Sequence, residues 1–279
     1  MTEQDRYIPG VPCWIDTNRS DPETAVAFYS GLFGWHVEDD MPPEAPGHYF
    51  TARLRGRDVA AIGSHPQDAS PNPAWNTYVW VQDADETAKL VGAAGGSTVM
   101  QPRDVGDAGR MAVFTDTEGA QFSIWQARRH RGATVVNEPG SLNVNELHTR
   151  DLDAADHFYG AVFGWERIPV GDGFAWALPA YGDFLERRSP GMQQSMKQMG
   201  APDRFWEVVA SISTITDTAA PQWSVTFGVD DTDAIAARAV ELGGRVIVPP
   251  FDAPWVRMAV IADPDGAHFT ASRFVPPNG

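Results

Sequence analysis

Phe28 to Trp35 reads FYSGLFGW, and Phe158 to Trp165, 130 positions further on (158 against 28), reads FYGAVFGW. The likeness spreads outward from there. Asp21 answers to Asp151, and Ala25, Phe28, Tyr29 and Leu32 answer to Ala155, Phe158, Tyr159 and Val162. Both sets are spaced to lie on one face of a helix. Asp85 to Gly96 (DETAKLVGAAGG) matches Asp233 to Gly244 (DAIAARAVELGG), RMAV at Arg110 returns at Arg257, and DTEGAQF at Asp116 returns as DPDGAHF at Asp263. Self-similarity at a fixed offset is the mark of a duplicated unit. The expected organisation is an N-terminal domain over 8–128, a linker over 129–141 and a C-terminal domain over 142–275.

A finer period inside each copy sets the architecture. An alternating strand over Cys13 to Asn18 leads into a helix capped by Asp21, with Pro22 at its first position and Gly34 as its stop. Strand-like segments follow at His36 to Glu38, His48 to Leu54 and Asp58 to Ser64. The order then restarts: a strand at Thr77, a helix from Asp85 to Ala94, and strands at Ser97, Arg110 and Gln121. The fold class is therefore α+β, with two βαβββ modules per copy and four in the chain. The second copy departs once, by an insertion of about 181–206 between strands at Phe174 to Leu178 and Val208 to Ser213. Ser189-Pro190 reads as a helix start there and Gly200 as its stop, with Met192, Met196 and Met199 forming a stripe.

Composition narrows the class. The 279 residues carry 43% hydrophobic side chains, enough for two ordinary cores. The net charge of −16 and the lack of a basic cluster argue against a nucleic-acid partner. No apolar run spans a bilayer, so no membrane partner is expected, and the N-terminus lacks a secretion signal. One cysteine, Cys13, forms no disulfide within the chain and suits a reducing, cytoplasmic setting.

The helix carrying FYxxLFGW, the later Gly-Gly stop and the D-x-x-G-A-x-F turn, in this order and repeated, resemble the vicinal oxygen chelate superfamily. That superfamily includes glyoxalases, bleomycin-resistance proteins and extradiol dioxygenases. The resemblance implies tandem domains, each an incomplete barrel with a cleft, and in metal-using members a divalent ion in that cleft. It places the metal-binding His positions at Trp14, Asn76, Val144 and Ser224, and the Glu positions at Ser123 and Thr270. At the fourth-strand position stand residues around Ala61 to Gly63 and Ser211 to Ser213. None of these sets supplies what a transition metal needs, so the expected cofactor is none.

What remains on the inward faces is polar in a repeated way. Strand alternation puts Asp16 beside Trp14, and Glu146 at the same place in the second copy. These two carboxylates are the expected catalytic groups, as general acid or base, unless they are structural partners of the repeated Arg110 and Arg257. Trp14, Asn76, Tyr78, Trp80, Trp125, His148, His268 and Thr270 are the expected ligand-binding residues, the aromatics suiting a flat apolar molecule. An alternative is a displaced divalent site at Glu146, His148 and His268. The function expected is binding of a small organic molecule by a metal-independent or degenerate enzyme, with proton transfer of isomerase, lyase or cyclase type on a metabolite. The alternatives are ligand sequestration without chemistry and metal-dependent glyoxalase or dioxygenase activity. Four modules suffice for a monomer, and a homodimer is also open.

Overall fold

The computed structural model describes residues 7–65, 73–216 and 218–275. The first copy runs β1 (Pro12–Arg19), α1 (Pro22–Phe33), β2 (His36–Asp39), β3 (Tyr49–Leu54), β4 (Arg57–Ser64), β5 (Trp75–Trp80), α2 (Ala84–Ala93), β6 (Ser97–Val105), β7 (Gly109–Thr115) and β8 (Gln121–Ala127). The second runs β9 (Leu142–Thr149), α3 (Leu152–Phe163), β10 (Glu166–Val170), β11 (Gly173–Ala177), α4 (Pro179–Arg188), α5 (Met192–Gln198), β12 (Val208–Thr214), β13 (Gln222–Gly228), α6 (Thr232–Glu241), β14 (Arg245–Ala253), β15 (Val256–Ala262) and β16 (His268–Phe274). The strands form two eight-stranded sheets, ordered β2-β3-β4-β1-β5-β8-β7-β6 and β10-β11-β12-β9-β13-β16-β15-β14, and neither closes into a barrel. The fold is thus the expected α+β pair of tandem domains, each built of two βαβββ modules.

Local chemistry explains the element ends. Asp21 accepts from the Thr24 amide at the start of α1, and Gly34 ends it at φ 70°. Asp151 and Gly164 (φ 74°) do the same for α3. The edge strands β6 and β14 run beyond the expected lengths, through Pro102 and through Pro249-Pro250. Their ladders shift register between Met100 and Arg103 and between Val248 and Phe251. A proline survives in a strand at such an irregularity, where its missing N–H interrupts no ladder bond.

The insertion differs from expectation. Two helices form, α4 and α5, followed by a 3-10 turn at Phe205–Glu207. Ser189 is the last cap of α4, its amide donating to the Leu185 carbonyl, and not a helix start. The helix that Gly200 stops is α5, which begins at Met192, and α4, opened by Pro179, is an additional helix. The free amides of α5 are met from the preceding helix, because the Glu186 carboxylate accepts from Gly191 N at 2.6 Å and Gln193 N at 3.0 Å. Met192 and Met196 are half-buried and Met199 is 56% exposed, so the methionines form no packed stripe.

The described residues group into two compact units that cut across the copies. One holds 7–13, 77–132 and 145–223, the second module of the first copy with the first module of the second. The other holds 14–76, 133–144 and 224–275, the two remaining modules. The repeated words hold each grouping together. In the 14–76 unit, Tyr29 Oη donates to Asp263 Oδ2 at 2.9 Å, Trp75 Nε1 donates to Tyr29 Oη at 3.0 Å, and Trp35 Nε1 donates to the Gly140 carbonyl at 2.7 Å. In the 77–132 unit, Tyr159 Oη donates to Asp116 Oδ2 at 3.0 Å, Trp223 Nε1 to Tyr159 Oη at 2.9 Å, and Trp165 Nε1 to the Gly10 carbonyl at 2.7 Å. The tyrosine of FYxxLFGW in one copy therefore binds the aspartate of D-x-x-G-A-x-F from the other. Many of the tryptophans and phenylalanines fill these cores: Tyr159 packs on Trp176 at 4.8 Å, and Phe33 on Phe227 at 4.9 Å.

Gly140 sits at φ 79°, and a Cβ there would meet the Phe33 carbonyl oxygen at 3.3 Å. Gly140→Ala should cost about 1–2 kcal/mol through the left-handed backbone alone, read as a lowered midpoint in urea. Asp116 gives a pH expectation. Burial, only partly offset by hydrogen bonds from the Ala120 amide and Tyr159, raises its carboxyl above the usual range. A group raised in the folded state is neutral in both states at low pH. Its ionisation then destabilises the fold as pH climbs through the unfolded value toward the folded one. Stability of wild type relative to Asp116→Asn should consequently fall as pH rises above about 4. A constant difference in denaturation curves across that window would refute the assignment.

Candidate functional site

In the 14–76 unit, β1 carries Trp14 and Asp16 on one face, and β5 brings Asn76 to it. Asp16 Oδ1 accepts from Asn76 Nδ2 at 2.8 Å and Oδ2 from Tyr49 Oη at 3.2 Å, while Trp14 Nε1 donates to Tyr49 Oη at 3.2 Å. Tyr49 was not visible in the sequence as a site residue. It reaches the cluster because β3 and β4 set it opposite Gly63, itself opposite Asn18 on β1. Burial first, and the Asp16 charge second, hold the Tyr49 phenol well above its ordinary value. Asp16 is 3% exposed and Trp14 equally covered, so this carboxylate is sealed among hydrogen-bond donors.

Tyr78, Trp80 and Trp125 lie in the other unit, on β5 and β8, where Tyr78 faces Ser123 and Trp80 faces Trp125 across the ladder. All three are buried. Trp80 stacks on Tyr7 at 5.9 Å, and Trp125 Nε1 donates to the His130 carbonyl at 2.9 Å. Cys13 in the same unit is buried as well, which pushes its thiol far up and removes it as a nucleophile.

The equivalent place in the second copy is open. Glu146 and His148 alternate onto one face of β9, each 27% exposed, and β12 sets Ser211 opposite Glu146 and Ser213 opposite His148. Ser213 Oγ donates to Glu146 Oε1 at 2.5 Å and lies 3.4 Å from His148 Nδ1, while His148 Nε2 is 3.8 Å from Glu146 Oε2. The three side chains close a triangle of acid, imidazole and hydroxyl. Its counterparts in the first copy are Asp16, Asn18 and Gly63, where a Cβ on Gly63 would meet Asn18 Oδ1 at 2.8 Å. Ser213 stood in the sequence only as part of the Ser211–Ser213 stretch. The signal for it was its place opposite His148, which a ladder register supplies and a linear reading does not.

The arginines take neither carboxylate. Arg110 pairs with Asp85 at 2.9 Å and Asp104 at 3.2 Å, and Arg257 with Asp233 at 2.6 Å and Asp252 at 2.9 Å. They lie on the helix-bearing side of their strands. In the 14–76 unit His268 opens β16 exposed, and Thr270 is half-buried, opposite Thr226 of β13 and Val260 of β15. Among the described residues no three His, Cys, Asp or Glu side chains gather as a metal-binding group, so Glu146, His148 and His268 do not assemble as one. Trp14, Asn76, Val144, Ser224, Ser123 and Thr270, where the resemblance puts metal ligands, carry an indole, an amide, a valine and hydroxyls, none of them a usual ligand of a transition ion. Among the described residues no helix is long and apolar enough to cross a membrane.

Comparison with known proteins supplies the context. The sequence profile described as Glyoxalase/Bleomycin resistance protein/Dioxygenase superfamily matches residues 14–124 and again 141–270. CFP32 of Mycobacterium tuberculosis (strain CDC 1551 / Oshkosh), by its name a provisional glyoxylase, is 38% identical over 99% of each chain. The anthracycline biosynthesis protein DauV of Streptomyces sp. (strain C5) is 36% identical over 95% of this chain and 94% of its own. Two solved structures share the fold at low identity. The Mn(II)-bound glyoxalase from Novosphingobium aromaticivorans has a TM-score of 0.60 at 14% identity, over 95% of this chain and 82% of that one. The 2,3-dioxygenase LapB from Pseudomonas sp. KL28 has a TM-score of 0.60 at 12% identity, over 98% and 96%.

Proposed function

Because this chain belongs to the Glyoxalase/Bleomycin resistance protein/Dioxygenase superfamily, twice over its length, we propose that its second copy binds a small organic metabolite and transfers a proton at Glu146 without a metal. The copies are taken as 8–128 and 142–275. The observation that carries the reading is the contrast between two equivalent carboxylates. Asp16 is covered and tied to Asn76 and Tyr49, whereas Glu146 is accessible and shares Ser213 with His148. A carboxylate that must exchange a proton with a ligand has to reach it. Glu146 takes the role of base or acid, Ser213 holds its Oε1, and His148 stands beside Oε2. Isomerisation, elimination and cyclisation each need only such a proton shuttle at carbon or oxygen. The relative named for anthracycline biosynthesis supports a biosynthetic intermediate as substrate.

The test is a metabolite screen by thermal shift, followed by mass spectrometry of each hit incubated with wild type and with Glu146→Gln. An enzyme of this kind converts a hit, and the variant binds it without converting it. Hits bound unchanged by both proteins would leave sequestration as the function. Conversion that appears only on adding a divalent ion, and persists in the variant, would overturn the metal-independent reading.

A further inference from the structure

The helix-free face of β14, β15 and β16, within the 14–76 unit, carries an aromatic wall that the first copy lacks. Register sets Phe251 opposite Met258, Val248 opposite Val260, and Val256 opposite Phe274. On this face Phe274 is 58% exposed, and Phe251 and Val248 are each 39% exposed. Trp255 occupies the turn that joins β14 to β15 and stacks on Phe274 at 6.3 Å. The matching positions of the first copy hold Arg103 for Phe251, Ala127 for Phe274, and the turn residues Gly106 to Ala108 for Pro254-Trp255. Three aromatic side chains therefore replace an arginine, an alanine and a small-residue turn in one copy alone. Conversely the first copy's Trp125, which fills its own face, becomes Ser272 here.

The backbone reinforces the point. Trp255 sits at φ 70°, a left-handed conformation that disfavours every residue but glycine and, less severely, asparagine and aspartate. Its carbonyl is fixed by the Val275 amide at 2.7 Å. Strain of this sort is retained where a site uses the side chain.

Resting on the reading that the chain binds a small organic molecule, we infer that Phe251, Trp255 and Phe274, in the 14–76 unit whereas Glu146 belongs to the other unit, form a stacking platform for a planar, fused-ring aromatic ligand. Rings prefer offset stacking on rings, and a rigid indole and phenyl pair meets a flat ligand at little entropic cost. Thr270, half-buried on the same face, adds a hydroxyl that suits a ring oxygen.

Isothermal titration with 1,8-dihydroxyanthraquinone, and with cholate as a saturated fused-ring molecule of similar breadth, tests this. The expected result is anthraquinone binding at least tenfold tighter than cholate. Phe274→Ala and Trp255→Gly should each weaken the anthraquinone about tenfold. Trp255→Gly also keeps the φ that glycine adopts freely, so its thermal midpoint should match or exceed that of wild type, which separates lost binding from lost folding. Three outcomes overturn the inference: no binding of the anthraquinone by wild type, equal binding by the variants, or equal binding of cholate. A dimer by light scattering that Phe274→Ala converts to monomer would make the face a subunit contact instead, and would also overturn it. Binding is read without turnover, so this inference and the role of Glu146 fail separately.

Discussion

Asp263→Ala will lower the unfolding free energy of the 14–76 unit by about 3–5 kcal/mol, the range measured when one partner of a buried ion pair is removed. Arg19 and Asp263 are both about 1% exposed, with Arg19 Nη2 at 2.7 Å from Asp263 Oδ2. The same oxygen accepts from Tyr29, and Oδ1 accepts from the Ala267 amide at 2.9 Å and the Asp265 amide at 3.1 Å. Alanine would leave a guanidinium buried, whose Nε and Nη1 already have no hydrogen-bond partner among the described residues. The second copy gives an internal control. Thr149 stands where Arg19 does, and the equivalent Asp116 binds Tyr159 and the Ala120 and Glu118 amides with no cation attached. Asp116→Ala therefore loses neutral-donor hydrogen bonds only, about 1–3 kcal/mol. Arg19→Met, which removes the cation and leaves Asp263 its three other donors, should cost less than Asp263→Ala despite deleting the same ion pair. Urea unfolding of the three variants, with m-values compared to wild type, decides the matter. Equal losses for Asp263→Ala and Asp116→Ala would mean that the buried charge is not what makes the first network fragile.

That pair of networks also marks the limit of the linear sequence. FYxxLFGW and D-x-x-G-A-x-F are legible as repeats because each encodes a complete local device: a capped helix with its buried stripe, and a turn whose aspartate accepts from amides two and four residues on. Their presence fixed the modules and the order of strands. What a repeat cannot encode is which copy of a partner motif its side chains will meet. Tyr29 finds Asp263 and Tyr159 finds Asp116, and that exchange follows from how modules pack and not from any single segment. The site divides in the same way. Asp16, Asn76, Glu146 and His148 follow from strand alternation on β1, β5 and β9, since alternation is a property of one strand. Tyr49 and Ser213 depend on registers across the ladder, β3 against β4 and β12 against β9, and so stayed hidden. The helix α4 was missed for a different reason. Ser-Pro looks the same whether it closes one helix or opens another, and the start of α4 at Pro179 lacks a capping side chain.

Glu146→Gln should reduce turnover of a true substrate by about 10²–10⁴-fold with little change in its dissociation constant, the span that a positioned acid or base contributes. Glutamine keeps the length and the carbonyl oxygen of Glu146, so it can still accept from Ser213, which lies 2.5 Å from Oε1. It cannot take a proton in the working range of pH. The substitution therefore separates shape from proton transfer, as Glu146→Ala would not. Three companions place the effect. Asp16→Asn should leave turnover within about twofold, because Asp16 is buried and held by Asn76 and Tyr49. Ser213→Ala should fall between wild type and Glu146→Gln, since a carboxylate that loses its one short donor is less firmly held, and Ser213→Thr should restore most of the loss. An order of effects with Asp16→Asn most damaging would move the active centre to the first copy.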